Sequence, residues 1–307
     1  MKRRDFLIHS GLGSGWLLGQ GIPFRGLEAE EKIKLTILHT NDVHSRIDPF
    51  PMDGSNLQGL GGVAVRSAKI KAIRQAEKNV LLLDAGDIFQ GTPYFNLYHG
   101  EIEIKAMTAL GYDASTIGNH DFDGGLDLLK KQLTHARFPL INSNYDFTDT
   151  PMQDGVSNYL VKNIDGLKIG IFGLGIEIKG LVPDNLIGNT KYLDPITRGN
   201  TTAALLKKKF NCDYIICLSH LGYEYKHEKI SDVRIAPLLH HVDLIIGGHT
   251  HTFLDKAVIT KNKEGKPLVI NQVGWGGVML GRLDIEFERN RSRHRCQTCN
   301  NEWITNG

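Results

Sequence analysis

Residues 80–87 read VLLLDAGD, and the fold turns on this octet. Val80, Leu81, Leu82 and Leu83 form an unbroken apolar run. Alternate residues of a strand face opposite sides of its sheet, so such a run indicates a strand covered on both faces. The run breaks at Asp84-Ala85-Gly86-Asp87, which puts two carboxylates and a glycine at the expected strand end. On one side, 63–77 carries helical spacing, with Val65, Ala68, Ile73 and Ala76 near one face; on the other, 101–110 does the same. A covered strand set between helices predicts a layered α/β architecture.

The pattern recurs along the chain. Strands are expected at 34–40, 114–117, 139–142, 214–218 and 242–246, with helices at 126–135 and 201–210 and at 230–240, where Pro237 must kink or end the helix. Residues 159–164 and 168–172 flank Asp165-Gly166 as a hairpin. Strands at 267–271 and 278–287 follow, separated by Gly276-Gly277, and these late strands suggest a second sheet. Nearly every apolar run ends in polar groups: Asn41-Asp42-Val43-His44, Gly118-Asn119-His120-Asp121, Ser219-His220 and Gly248-His249-Thr250-His251. Ligands of open α/β sheets bind just beyond the carboxyl ends of strands, so these side chains are expected at one rim. Residues 30–288 read as one domain.

Composition narrows the class. The 307 residues are 41% apolar and 23% charged with four cysteines, which excludes a collagen, a wholly disordered chain and a disulfide-stapled mini-protein. The net charge of +2 arises at the ends, where Lys2, Arg3, Arg4 and Arg25, then Arg289, Arg291, Arg293 and Arg295, outweigh the acids. The body between them is mildly acidic and does not suit nucleic acid.

The polar strand ends predict a two-metal site. Asp42 and His44 lie two apart and share a side if the chain stays extended, and His249 and His251 repeat that spacing. Asp87 can bridge two ions, Asn119 offers a carbonyl oxygen and His220 another imidazole. Seven side chains exceed the three or four protein ligands of a single zinc and suit two ions about 3.5–4 Å apart. Nitrogen and oxygen donors without thiolate favour Zn, Mn, Fe or Co. Asp42 and Asp87 alone bring negative charge, so two divalent ions leave a positive surplus that attracts phosphate, and attack of a bridging hydroxide on phosphorus is the expected chemistry. His120 is placed to assist the leaving oxygen. Asp123 is placed to orient it, with Asp121 the competing partner and helix capping near Gly125 the alternative use of both aspartates.

The ordered set Asp42-x-His44, Gly86-Asp87, Gly118-Asn119-His120-Asp121, Ser219-His220 and Gly248-His249-Thr250-His251 resembles the calcineurin-like metallophosphoesterases. Within them it is similar to the bacterial 5′-nucleotidase / UDP-sugar hydrolase family, whose catalytic domain carries Asn-His-Asp-Phe-Asp, here 119–123. The resemblance covers about 35–287 and implies a four-layer α/β/β/α sandwich. It also implies one metal on Asp42, His44, Asp87 and His251, another on Asp87, Asn119, His220 and His249, and a catalytic pair of His120 and Asp123. The implied activity is hydrolysis of nucleotide 5′-phosphates, with UDP-sugar or cyclic-nucleotide diester hydrolysis and sulfur-ester hydrolysis as alternatives. Members often carry Gln or Asn where this chain has His251. Full-length members also carry a C-terminal domain that stacks the nucleobase, so a separate substrate-binding subunit is a further expectation.

The termini have their own readings. Residues 1–29 resemble an export signal of twin-arginine type, through Arg3-Arg4 followed by Asp5, Phe6 and Leu7. An ordinary secretory signal or an uncleaved anchor is the alternative. Export predicts a periplasmic or extracellular protein with no stable membrane span after signal removal. Residues 289–307 show neither strand nor helix periodicity and read as a basic tail, with Cys296-x-x-Cys299 as plain tail residues or an exported disulfide. Cys212 and Cys217 read as buried free thiols, and Trp275, between glycines, as a packing residue. Phe89, Tyr94, Phe95, Tyr223, Tyr225 and His227 are candidates for the pocket mouth or for packing at its rim.

Overall fold

The computed structural model describes residues 32–288 and 294–305. The export-signal reading of 1–29 therefore lies outside the described residues. Among the described residues fifteen strands run in order: β1 (Ile33–Thr40), β2 (Val80–Asp84), β3 (Ala114–Ser115), β4 (Leu140–Ile141), β5 (Tyr145–Asp146), β6 (Val156–Ser157), β7 (Tyr159–Ile164), β8 (Leu167–Gly175), β9 (Lys191–Tyr192), β10 (Tyr214–His220), β11 (Leu244–Gly247), β12 (Val258–Lys261), β13 (Pro267–Asn271), β14 (Met279–Phe287) and β15 (His294–Trp303). They form a seven-stranded sheet, ordered β15-β14-β1-β2-β3-β4-β6, and a six-stranded sheet, ordered β12-β13-β11-β10-β8-β7. Strands β5 and β9 pair separately.

The period-2 alternation of side chains divides the core into layers. Leu35, Ile37, Leu81 and Leu83 from the first sheet meet Ile169, Ile171, Ile216, Leu218, Leu244 and Ile246 from the second in one buried cluster between the sheets. The intervening Leu38 and Leu82 face outward to α1 (Val63–Ala76), and to Ile104, Met107 and Leu110 of the helix at Glu101–Leu110. Phe172, Leu174, Ile215, Cys217 and Ile245 leave the second sheet on its other side, toward Ala203 and Leu206 of the helix at Pro195–Lys208. Helix, sheet, sheet and helix therefore stack in that order. The unbroken apolar run at Val80–Leu83 is explained, since that strand is covered on both faces.

Several boundaries differ from expectation, each for a local reason. The buried face of α1 is Arg66, Ile70 and Ile73, while Ala68 and Ala76 are exposed. The helix expected at 201–210 begins six residues earlier, at Pro195, where the Asp194 carboxylate accepts the Thr197 amide and Pro supplies a pre-set first turn. The helix expected at 230–240 is confined to Asp232–Ile235 and a 3₁₀ turn at Ala236–Leu238, because Pro237 cannot continue it. His241, beyond that turn, pairs with Glu264 at 2.8 Å.

The largest correction is at the tail. Residues 294–303 form β15, antiparallel to β14 with Phe287 opposite His294 and Met279 opposite Trp303. A polar edge strand lacks the apolar alternation that marks a half-buried one, so periodicity misses it. It is held from within. Asn301 and Asn271 exchange amide hydrogen bonds at 2.7 and 2.9 Å, and the Asn301 Nδ2 also reaches the Leu254 carbonyl. Cys296 and Cys299 are joined by a disulfide beside the inter-sheet core. Cys212 and Cys217 are free and buried.

Candidate metal centre

Five loops at the carboxyl ends of strands converge between the two sheets. Asp42 and His44 follow β1, Asp87 follows β2, Asn119 and His120 follow β3, His220 ends β10, and His249 and His251 follow β11. The loops after β1 and β2 run side by side, with Asp42 N donating to the Gly86 carbonyl at 2.9 Å and His44 N to the Asp87 carbonyl at 3.0 Å.

The expected extended backbone at Asp42 and His44 is not found. Their φ angles are 49° and 50°, and those of Asp87, His249 and His251 are 56°, 74° and 53°. Five of the seven candidate ligands therefore sit in the left-handed region, which costs a non-glycine residue roughly 1–3 kcal/mol and persists only where the surroundings enforce it. Here the enforcing groups are buried polar side chains. Asp121 accepts the amides of Asp87, Ile88, Phe89 and Gly118 at 2.8–3.2 Å, and neither of its oxygens reaches His120. Asn41 donates to Asp42 Oδ2 and to the Gly274 carbonyl, both at 2.7 Å. Glu103 accepts the Ser45 hydroxyl directly after His44. Gly118 is required where it stands, since a Cβ there would collide with Asp87 Oδ1.

The side chains fall into two groups: Asp42, His44 and His251, then Asp87, His220 and His249, each with ligand-type atoms within 4.8 Å of one another. Within the first, His44 Nε2 and His251 Nε2 are 3.0 Å apart, and His251 Nε2 is 3.6 Å from Asp42 Oδ1. Within the second, His220 Nε2 is 3.1 Å from Asp87 Oδ2. Asp87 Oδ2 also lies 3.8 Å from His44 Nε2, so this carboxylate faces both groups. Asn119 Oδ1 joins the second group at 2.8 Å from His249 Nδ1. His120 Nδ1 pairs with Asp123 Oδ2 at 2.8 Å, its backbone N–H donates to Asp87 Oδ1, and its ring packs edge-on against His44. All nine predicted site residues are thus brought together.

Electrostatics show a site in need of positive charge. Burial pushes the Asp42 carboxyl well up, with His220 opposing and Asp87 adding to the rise. Burial would also raise Asp87, but His220, His44 and His120 outweigh it and hold that carboxyl below the usual range. Burial works against charge on His220, yet Asp87 and Asp42 together lift it to about 10. His249 and His251 go the other way, to about 3 and about 4, through burial and their imidazole neighbours. Neutral imidazoles facing carboxylates suit a divalent cation. His220 Nε2 is fully buried and, though close to Asp87, makes no aligned hydrogen bond. Such an orphaned donor atom is one that a metal ion satisfies.

Some candidates stand elsewhere. Phe89 and Phe95 stack in the core rather than at a pocket mouth, and the half-buried Tyr94 donates to Asp48. Tyr225 donates to the Leu221 carbonyl beneath Lys229, and its ring lies 5.7 Å from that of His227; the Tyr223 amide donates to Thr250 Oγ1 at 2.9 Å. Sequence spacing leaves Asn41 and Glu103 outside the site and offers Asp121 only as a rival to Asp123. The available signal for Asp121 is its place at a strand end, three residues after one glycine and three before another.

Nitrogen and oxygen donors converging at the strand ends of a four-layer sandwich are the mark of a metal-dependent protein. The chain belongs to the calcineurin-like phosphoesterase family, whose model matches residues 35–253. It is 36% identical over 277 residues to the human 5′-nucleotidase, covering 83% of this chain and 47% of that protein. The crystal structure of a 5′-nucleotidase precursor from Thermus thermophilus superposes with a TM-score of 0.77 at 32% identity, over 89% of this chain and 55% of that one. The calcineurin-like phosphoesterase YfkN from Bacillus subtilis gives 0.72 at 28% identity, over 89% and 92%. The chain spans about half the length of the first curated relatives it matches. Among the described residues no helix is long and apolar enough to cross a membrane.

Proposed function

We propose that the chain is an exported, dinuclear-metal phosphomonoesterase that hydrolyses the 5′-phosphate of nucleotides. The observation that carries this reading is the juxtaposition of two metal-ligand groups, both faced by Asp87, with the His120–Asp123 pair. Likeness to the human and Thermus 5′-nucleotidases supports the substrate class. The ligand sets are Asp42, His44, Asp87 and His251 for one ion and Asp87, Asn119, His220 and His249 for the other. Two divalent transition ions bound there supply an acidified water and positive charge for phosphoryl oxygens.

The chain's own residues do the rest. Asp123 accepts from His120 Nδ1, which leaves Nε2 as the atom that hands a proton to the departing ester oxygen. That hydrogen bond, first among the causes, raises the His120 pKa and favours the protonated form the role needs. The His120 amide on Asp87 Oδ1 ties the imidazole to the carboxylate that faces both ligand groups and would hold the ions. Export is supported by Arg3-Arg4 and the residues after it.

The test is a substrate panel on protein loaded in turn with Zn, Mn and Co. Nucleoside 5′-monophosphates should show the highest kcat/KM. Higher values for UDP-sugars, cyclic nucleotides or sulfur esters would replace the proposed substrate.

A further inference from the structure

Four histidines contribute rings to the two groups, and two of them have an evident hydrogen-bonding device that fixes the ring. Whereas His249 Nδ1 faces Asn119 Oδ1, itself a candidate ligand, His44 Nδ1 lies 3.3 Å from the Phe89 carbonyl and His220 Nδ1 lies 2.7 Å from the Ala85 carbonyl. Imidazoles that bind metals usually donate their second ring N–H in this way, which sets ring orientation and basicity. His251 differs. Its polar approaches among the described residues are both made by Nε2, to His44 Nε2 at 3.0 Å and Asp42 Oδ1 at 3.6 Å, and its side chain is 39% exposed. It also sits at φ 53° on a loop.

What holds His251 is Trp275. The indole lies parallel to the imidazole, with planes 16° apart and ring centroids 5.6 Å apart. Trp275 is itself braced by the buried Phe50, edge-on at 5.2 Å, and Arg46 caps Phe50 with its guanidinium 4.0 Å from that ring. The turn that carries Trp275 is tied to the other side of the same group. Gly276 N donates to the Asp42 carbonyl at 2.7 Å, and Asn41 bridges Gly274 O and Asp42 Oδ2. Gly276, at φ 67°, has no room for a side chain, since a Cβ would meet Phe50 at 2.7 Å. One turn therefore grips Asp42 through its backbone and His251 through its indole.

We propose that Trp275 is a positioning residue for the first metal: its stack fixes the plane of His251, standing in for the missing hydrogen bond, and sets the affinity of the Asp42/His44/His251 group. This rests on the metal reading above and deepens it. Partners of this kind change metal affinity by roughly 10–100-fold.

The experiment titrates metal-free full-length protein with Zn²⁺ and with Co²⁺ against a chromophoric chelator, in wild type, Trp275→Ala, Trp275→Phe, His251→Ala and the His251→Ala/Trp275→Ala double variant. Trp275→Ala should weaken one of two sites about tenfold and leave the other unchanged, at the low end of that range. Trp275→Phe, which keeps a stacking ring, should restore most of it. In the His251→Ala background, loss of Trp275 should change nothing further. Co²⁺ should quench the fluorescence of Trp275, and Trp275→Phe should abolish that quench, a readout that needs no loss of fold. Circular dichroism confirms folding of each variant. If His251→Ala weakens one site while Trp275→Ala leaves both at wild-type affinity, the positioning role is wrong. If His251→Ala also leaves both sites unchanged, the metal reading at this group fails.

Discussion

His220 and His251 hold corresponding places in the two candidate groups and are secured by opposite means. His220 is the last residue of β10, wholly buried, with a carbonyl on Nδ1 and two carboxylates beyond Nε2. His251 is four residues past the end of β11, partly exposed, and leans on an indole. A ring fixed inside a strand and a hydrogen-bond network resists disorder on all sides, whereas a ring fixed by stacking retains freedom within its plane. The second group should therefore hold its ion more tightly than the first.

Four measurements break or sharpen that contrast. Asp87→Asn should have the largest effect, because its carboxylate faces both groups. Both ions should be depleted on elemental analysis, and kcat/KM on AMP should fall beyond the roughly 10⁴-fold upper range of a general acid. Loss of a single ion would assign Asp87 to one group only. His120→Ala should come next, with kcat on AMP falling about 10²–10⁴-fold while both ions remain. A nitrophenyl ester, whose leaving group needs little protonation, should suffer less, and Asp123→Asn should give a weaker version of the pattern. Metal loss in step with activity would make His120 a ligand. Third, His220→Ala should lower the affinity of one ion more than His251→Ala lowers that of the other, by about tenfold or more in relative terms. Equal losses would erase the distinction between the groups. Smallest for function is Asn301→Ala, which leaves buried Asn271 without one partner. Thermal or denaturant unfolding should show about 1–3 kcal/mol less stability, with activity and metal content kept.

The site is legible in the sequence to a greater degree than the backbone that builds it. Asp42, Asp87, Asn119, His220 and His249 can be placed because each follows a recognisable apolar run, and strand ends in α/β sheets gather at one rim. The reason Asp42 and His44 face together cannot be read there. Alternation suggests extension, but both residues adopt left-handed backbone enforced by Asn41, Glu103 and the neighbouring loop. Those enforcers are single polar residues whose partners lie far along the chain, as with Asn41 and Gly274 or Ser45 and Glu103, and local spacing carries no trace of such pairings. Arg66 is hidden for a related reason. It occupies the buried face of α1 near Asp84, where a helical pattern invites an apolar residue. The strand at His294–Trp303 escapes notice because a polar edge strand has no apolar rhythm, only a partner.

That strand has a consequence for solubility. β14 is nine residues long and almost wholly buried, and without β15 its free edge would offer a row of unpaired amides and carbonyls to any other extended chain. β15 closes that edge and presents in its place Arg295, Gln297 and Asn300, exposed and polar, with Glu302 paired to Lys69. The stretch that looks least structured by composition is thus a guard rail: it ends the sheet with polar side chains along most of its length and Trp303 stacked on Phe253 at its end, and a chain cut before it should clump before it unfolds.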